Sequence, residues 1–118
     1  MEPQRLAQCC QQAYGSSYGG PVAPLTHRGK FSLLELTHGP TLAFKDVALQ
    51  LLGRLFDTIL ESQDGYLNVV AATSGDTGSA AIQGLSGIER VHLFVTHPKG
   101  RIAPLPVSYT HLTLPTKA

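Results

Sequence analysis

The sequence predicts an α/β fold, part of a parallel sheet with crossover helices. Three observations lead there. Val47, Ala48, Leu51, Leu52, Leu55, Phe56, Ile59 and Leu60 recur at helical spacing and make one broad apolar stripe. The run Leu67 to Ala72, LNVVAA, is bounded by turn signals, as for a strand covered on both faces. The turn ATSGDTG, a helical pattern over Thr77 to Leu85 and a second apolar run, Val91 to Val95, then follow. Strand, helix and strand in that order call for parallel pairing with the helix crossing over. Ligands of such sheets sit beyond the carboxyl ends of the strands. That rule puts the ATSGDTG turn and the later HPKGR turn at one edge.

The remaining elements are less marked. Arg5 to Tyr14 has helix-compatible composition and stops at Gly15. Gly15 to Gly29 reads as loop, because Gly19-Gly20-Pro21 and Pro24 break regular structure. Phe31 to Leu36 reads as a strand running into the turn His38-Gly39-Pro40. Asp46 is expected to cap the long helix, and Gln63-Asp64-Gly65 to end it.

At 118 residues the chain supports one domain around one core, and its 42% hydrophobic and 14% charged content is that of a globular protein. A net charge of +1 makes no electrostatic case for nucleic acid or an anionic membrane. No apolar run approaches the ~20 residues that span a bilayer. The N-terminus has no apolar h-region, so the expected location is the cytoplasm. Adjacent Cys9 and Cys10 read as reduced thiols, since neighbours in sequence do not form an ordinary disulfide. The histidines lack metal-ligand spacing. Walker A, GxGxxG and nucleophile-elbow patterns are all missing from the sequence.

Chemistry concentrates in two places. Lys45 stands immediately before the long helix, where the positive end of the helix dipole disfavours an ammonium. Leu42, Ala43 and Phe44 would strip water from the same amine. Both influences favour the nucleophilic form that Schiff-base chemistry uses. Taken alone, a lysine near a helix start is more simply a solvated side chain. The ATSGDTG turn offers backbone N–H groups at a helix start with the hydroxyls of Thr73, Ser74 and Thr77, a generic receptor for carboxylate or phosphate. It reads equally well as a tight turn with a hydroxyl cap. Asp76 would repel an anion there unless it points away, pairs with a cation or is protonated. Lys99 and Arg101 suit a second anion contact or a solvated turn, and His38 more simply orders its own turn.

Together, LELTHGPTLAFKDVALQLLGRLF and VVAATSGDTGSAAI resemble the threonine synthases, pyridoxal-phosphate enzymes of fold-type II with a tryptophan synthase β-like fold. The likeness runs over residues 22–105, which it makes part of a catalytic domain. It leaves 1–21 as a remnant of an N-terminal region. By that resemblance Lys45 carries pyridoxal 5'-phosphate with Phe44 beside it, and Asp76 lies near the cofactor ring. Thr73, Ser74, Gly75 and Thr77 then receive the substrate, and Lys99 and Arg101 approach its phosphate. The reaction implied converts O-phosphohomoserine and water into threonine and phosphate.

Two departures qualify the resemblance. Family members run to several hundred residues, so this stretch is expected to be a truncated fragment, inactive alone and lacking the later loop that holds the cofactor phosphate. From Pro106 the tail PVSYTHLTLPTKA departs from the family and resembles translated adapter read-through, so 106–118 is expected to be non-native. A threonine-synthase-like phospholyase, or a non-catalytic anion-binding module, would share the same motifs. Oligomeric state has no sequence signal.

Overall fold

A computed structural model describes residues 1–73 and 75–98 of the chain. Its elements are α1 (Pro3–Ala13), β1 (Leu25–Arg28), β2 (Phe31–Leu34), α2 (Asp46–Gln63), β3 (Leu67–Ala72), α3 (Asp76–Leu85) and β4 (Val91–Thr96). Strands β3 and β4 pair in parallel, from Leu67 opposite Val91 to Ala72 opposite Thr96, with α3 as the crossover. This is the α/β arrangement expected from the alternation of patterns.

Helix α2 ends where the sequence says it should. Asp64 takes the left-handed conformation (φ 49°), and its N–H reaches back to the carbonyls of Leu60 and Glu61. The apolar stripe of α2 packs with α3 on one side of the sheet. The core is Leu60, Ala81, Leu85, Ile88 and Val91, flanked by Leu49, Phe56, Leu67, Val69 and Leu93. Two glycines decide how closely the helices meet. A methyl on Gly53 would run into the carbonyl oxygen of Gly84, and one on Gly84 would lie 2.5 Å from the carbonyl oxygen of Leu49. The two backbones therefore touch, and no larger residue fits between them.

Four expectations need correction. The segment read as loop, Gly15 to Gly29, contains β1, which pairs antiparallel with β2 through the turn Gly29-Lys30. Gly29 takes φ +62° at the first central position, where a type II′ hairpin turn requires glycine. The second strand stops at Leu34 rather than Leu36: the N–H of Glu35 still bonds the carbonyl of Pro24 opposite it, but a proline has no N–H to return the bond. Among the described residues this hairpin lies outside the parallel sheet, so α2 joins a hairpin to a strand and α3 alone is a true crossover. Finally, β3 is not covered on both faces. Leu67, Val69 and Ala71 are half-buried against the helices, whereas Asn68, Val70 and Ala72 are exposed. The described helices lie on one side of the sheet only.

Helix α1 docks on α2. Cys9 is buried, with its sulfur 3.3 Å from the Thr58 hydroxyl and 3.7 Å from the Arg54 carbonyl, and both cysteines are free thiols. No helix among the described residues is long and apolar enough to cross a membrane.

Candidate functional site

Lys45 lies at the N-cap of α2 with helical backbone angles (φ −65°, ψ −22°), and its carbonyl accepts the N–H of Leu49 at 3.0 Å. The sequence suggested Asp46 for the cap, but Asp46 is the first helical residue and makes no side-chain cap. Its carboxylate turns inward instead and is fully buried. There it accepts the N–H of Thr41 at 2.8 Å and the Thr41 hydroxyl at 2.7 Å. Gly39 makes room for it, since a methyl at that position would lie 2.5 Å from Oδ2 of Asp46. The start of α2 also suits the buried carboxylate, because the helix dipole is positive there.

Lys45 opens into a cavity of about 580 Å³ lined by Tyr14, Leu36, Phe44, Lys45, Val47, Ala48, Leu49 and Thr77. Lys45 and Thr77, the second residue of α3, therefore border the same cavity. The Nζ atom sits 5.0 Å from the centroid of the Phe44 ring, within cation–π reach. Phe44 itself is 61% exposed. Five of the lining residues are apolar, so a ligand seated here would lose water around the lysine.

The bend between β3 and α3 is closed from within. The hydroxyl oxygen of Thr73 accepts the N–H groups of Gly75 and Gly78, both at 3.2 Å. A methyl on Gly78 would lie 2.5 Å from Cγ2 of Thr73, so this glycine serves the folding of the turn onto itself. Thr73 thus acts as the hydroxyl cap that was one of the two readings of the motif. Asp76 is exposed in the first turn of α3, where the dipole favours a carboxylate. Thr77, also exposed, reaches the cavity. Ser74, Lys99 and Arg101 lie outside the described residues, as does the 106–118 tail.

Tyr14 was absent from the sequence reading of the site. It closes α1, donates its hydroxyl to the carbonyl of Val47 at 2.7 Å, and forms one cavity wall. Burial raises its pKa. A tyrosine just before a helix-ending glycine was its only signal. Tyr18 meets Tyr14 edge to face at 5.8 Å, and its hydroxyl is pushed up to about 12 by burial and then by the neighbouring Asp46 carboxylate. On the loop leading to Lys45, His38 holds Glu35 at 2.8 Å, and Thr26 donates to the same carboxylate at 3.0 Å. These bonds hold Glu35 below the usual carboxylate range, and His38 orders its turn as expected.

No protein-family profile matches the chain. Individual proteins do. Threonine synthase of Pseudomonas aeruginosa is 49% identical, over 79% of this chain and 20% of its own length. That of Schizosaccharomyces pombe is 54% identical, over 85% of this chain and 21% of its own length. The crystal structure of pyridoxal-phosphate-bound threonine synthase from Brucella melitensis superposes with a TM-score of 0.83 at 40% identity, covering 90% of this chain and 23% of that one. The chain spans about one fifth of the length of these relatives. Sequence identity and a common α/β arrangement over the same stretch make this chain a member of the threonine synthase family, as a segment of such a protein.

Proposed function

We propose that Lys45 is the residue that binds pyridoxal 5'-phosphate, and that the chain is the lysine-bearing part of a threonine synthase. In a protein of the relatives' full length, the reaction would convert O-phosphohomoserine and water into threonine and phosphate, in the cytoplasm. The observation that carries this reading is the shared cavity. Lys45 lines this cavity together with apolar side chains and with Thr77 at a helix start. Those residues fit an aromatic aldehyde: Lys45 supplies the nitrogen for condensation, and Phe44 and Leu36 supply apolar surface for a ring. Bound there, the cofactor would act as an electron sink that stabilises negative charge on the substrate carbons.

The chain's own residues would do the rest. Lys45, freed when a substrate amine takes its place, would carry protons between neighbouring substrate carbons. Thr77, the positive end of α3 and Ser74 would receive the substrate carboxylate. We assign Thr73 to supporting that turn from beneath, with Gly75 in the bend and Asp76 toward the cofactor ring. Lys99 and Arg101 would meet the substrate phosphate. We further infer that residues 22–105 are part of the catalytic domain, 1–21 a remnant of a preceding region and 106–118 a non-native tail. By itself this segment would not turn over.

The test is reductive trapping. Incubating the chain with pyridoxal 5'-phosphate, reducing with borohydride and mapping the peptides should find the label concentrated on Lys45. Uniform labelling of all lysines would overturn the assignment. For a full-length protein containing the segment, O-phosphohomoserine should yield threonine and phosphate, and a keto acid in place of threonine would refute the reaction.

A further inference from the structure

We propose that Thr41 and Asp46 form a positioning clamp that fixes the direction from which Lys45 approaches an aldehyde. This deepens the reading of Lys45 given above and rests on it.

The clamp closes a short loop. Thr41 and Asp46 bracket Leu42, Ala43, Phe44 and Lys45, and both oxygens of the Asp46 carboxylate bond to Thr41, one to its N–H and one to its hydroxyl. The Asp46 side chain is 0% exposed and Thr41 9% exposed, so no solvent competes for these bonds. A buried carboxylate left unpaired is strongly disfavoured, which makes opening the loop costly. Three backbone bonds add to the clamp. Leu42 donates its N–H to Gly39 at 3.0 Å, Asp46 to Ala43 at 3.0 Å, and Val47 to Phe44 at 3.2 Å. Leu42 is held at φ +60°, a region that L-residues without a short polar side chain rarely enter. A non-glycine residue persists there only where its surroundings over-determine it.

Such a loop exceeds what starting a helix needs. An ordinary cap would place a side chain on the N–H groups of α2, and Asp46 makes no such bond. Its bonds run backward, across the lysine, to the far end of the loop. The residue immediately before the clamp's carboxylate is Lys45, which lines the cavity together with Thr77. Fixing Asp46 therefore fixes the backbone of Lys45 on both sides. Only the four-carbon stem remains free, and the Phe44 ring and the cavity walls restrict it.

An internal standard in the same chain makes this testable. Lys30 lies exposed at the hairpin turn, away from the clamp. Trapping with pyridoxal 5'-phosphate and borohydride, with the two lysine peptides quantified in each sample, gives a Lys45-to-Lys30 ratio. The ratio should exceed one in the wild type. Thr41→Val deletes the hydroxyl bond at nearly constant volume and should lower the ratio about tenfold, while Thr41→Ser should restore it. Asp46→Asn keeps an oxygen for the Thr41 N–H and lets the hydroxyl reverse to accept from the amide, so it should retain most of the ratio. Gly53→Ala, which loosens the contact between α2 and α3 away from the loop, is the destabilised control and should leave the ratio high. Wild-type preference that survives Thr41→Val, or falls equally in Gly53→Ala, overturns the clamp while the reading of Lys45 stands. A wild-type ratio of one overturns both.

Discussion

Gly53→Ala tests the packing directly, because two opposing effects of known size meet there. Alanine at an interior helix position gains about 1 kcal/mol over glycine from backbone propensity. The added methyl, however, runs into the carbonyl oxygen of Gly84, and backbone cannot rotate away as a flexible side chain can. Overpacking reaches about 3 kcal/mol at the upper end of its usual range, which a backbone obstacle warrants. The net expectation is a loss of roughly 2 kcal/mol. With a urea dependence of about 2 kcal/mol per molar, the unfolding midpoint should fall by about 1 M. Helical circular dichroism followed through a urea titration reads this. Gly20→Ala, at a position with no atom within 4 Å of the new methyl and no positive φ, is the matched control and should not fall. A Gly53→Ala midpoint equal to or above the wild type would refute the close helix contact.

Other perturbations have equally definite signs. Tyr14→Phe removes the bond to the Val47 carbonyl and should cost about 1 kcal/mol by urea unfolding, with the cavity wall kept. Glu35 is held below the 4.5 of an unperturbed glutamate, chiefly through the His38 hydrogen bond and then that of Thr26. Its contribution to stability is therefore complete above pH 4.5 and lost as pH falls through the depressed value. Glu35→Gln should flatten that acid limb in midpoints measured against pH. The Tyr18 hydroxyl is pushed up to about 12 from the 10.0 of an unperturbed tyrosine, so its contribution is complete below pH 10.0 and lost as pH rises toward 12. Tyr18→Phe should remove this alkaline loss. Because no described atom accepts from the buried Tyr18 hydroxyl, the same variant should not lower stability at neutral pH.

Helix α2 and the β3–α3–β4 unit were legible because their evidence is periodic and local. Eight apolar positions define one face of α2, and two apolar runs flank a glycine-bearing turn. The topology put the ATSGDTG and HPKGR turns at one edge, whereas the cavity shared by Lys45 and Thr77 came only from the packing of α2 against α3. What escaped depended on distant partners. The four residues of β1, LTHR, have no alternation to mark them and become a strand only through pairing with β2. Tyr14 reaches the site from 31 positions before Lys45, a distance that no pattern in a single sequence encodes. Asp46 has the composition of a cap, and its real position depends on space that Gly39 leaves open seven residues earlier. Glycines in the TSGDTG turn suggested ligand approach, yet Gly78 makes room for the methyl of Thr73.

The uncovered side of the parallel pair bears on handling the protein. Val70 is 72% exposed on β3, and the hairpin leaves Phe31 80% exposed with Leu33 and Leu34 nearby. Strand edges and apolar side chains presented together act as templates for other chains. Concentrating or warming the purified segment should therefore drive it into assemblies. Val70→Lys, set on that open side and away from the lysine cavity, is the substitution most directly suited to keeping it dispersed.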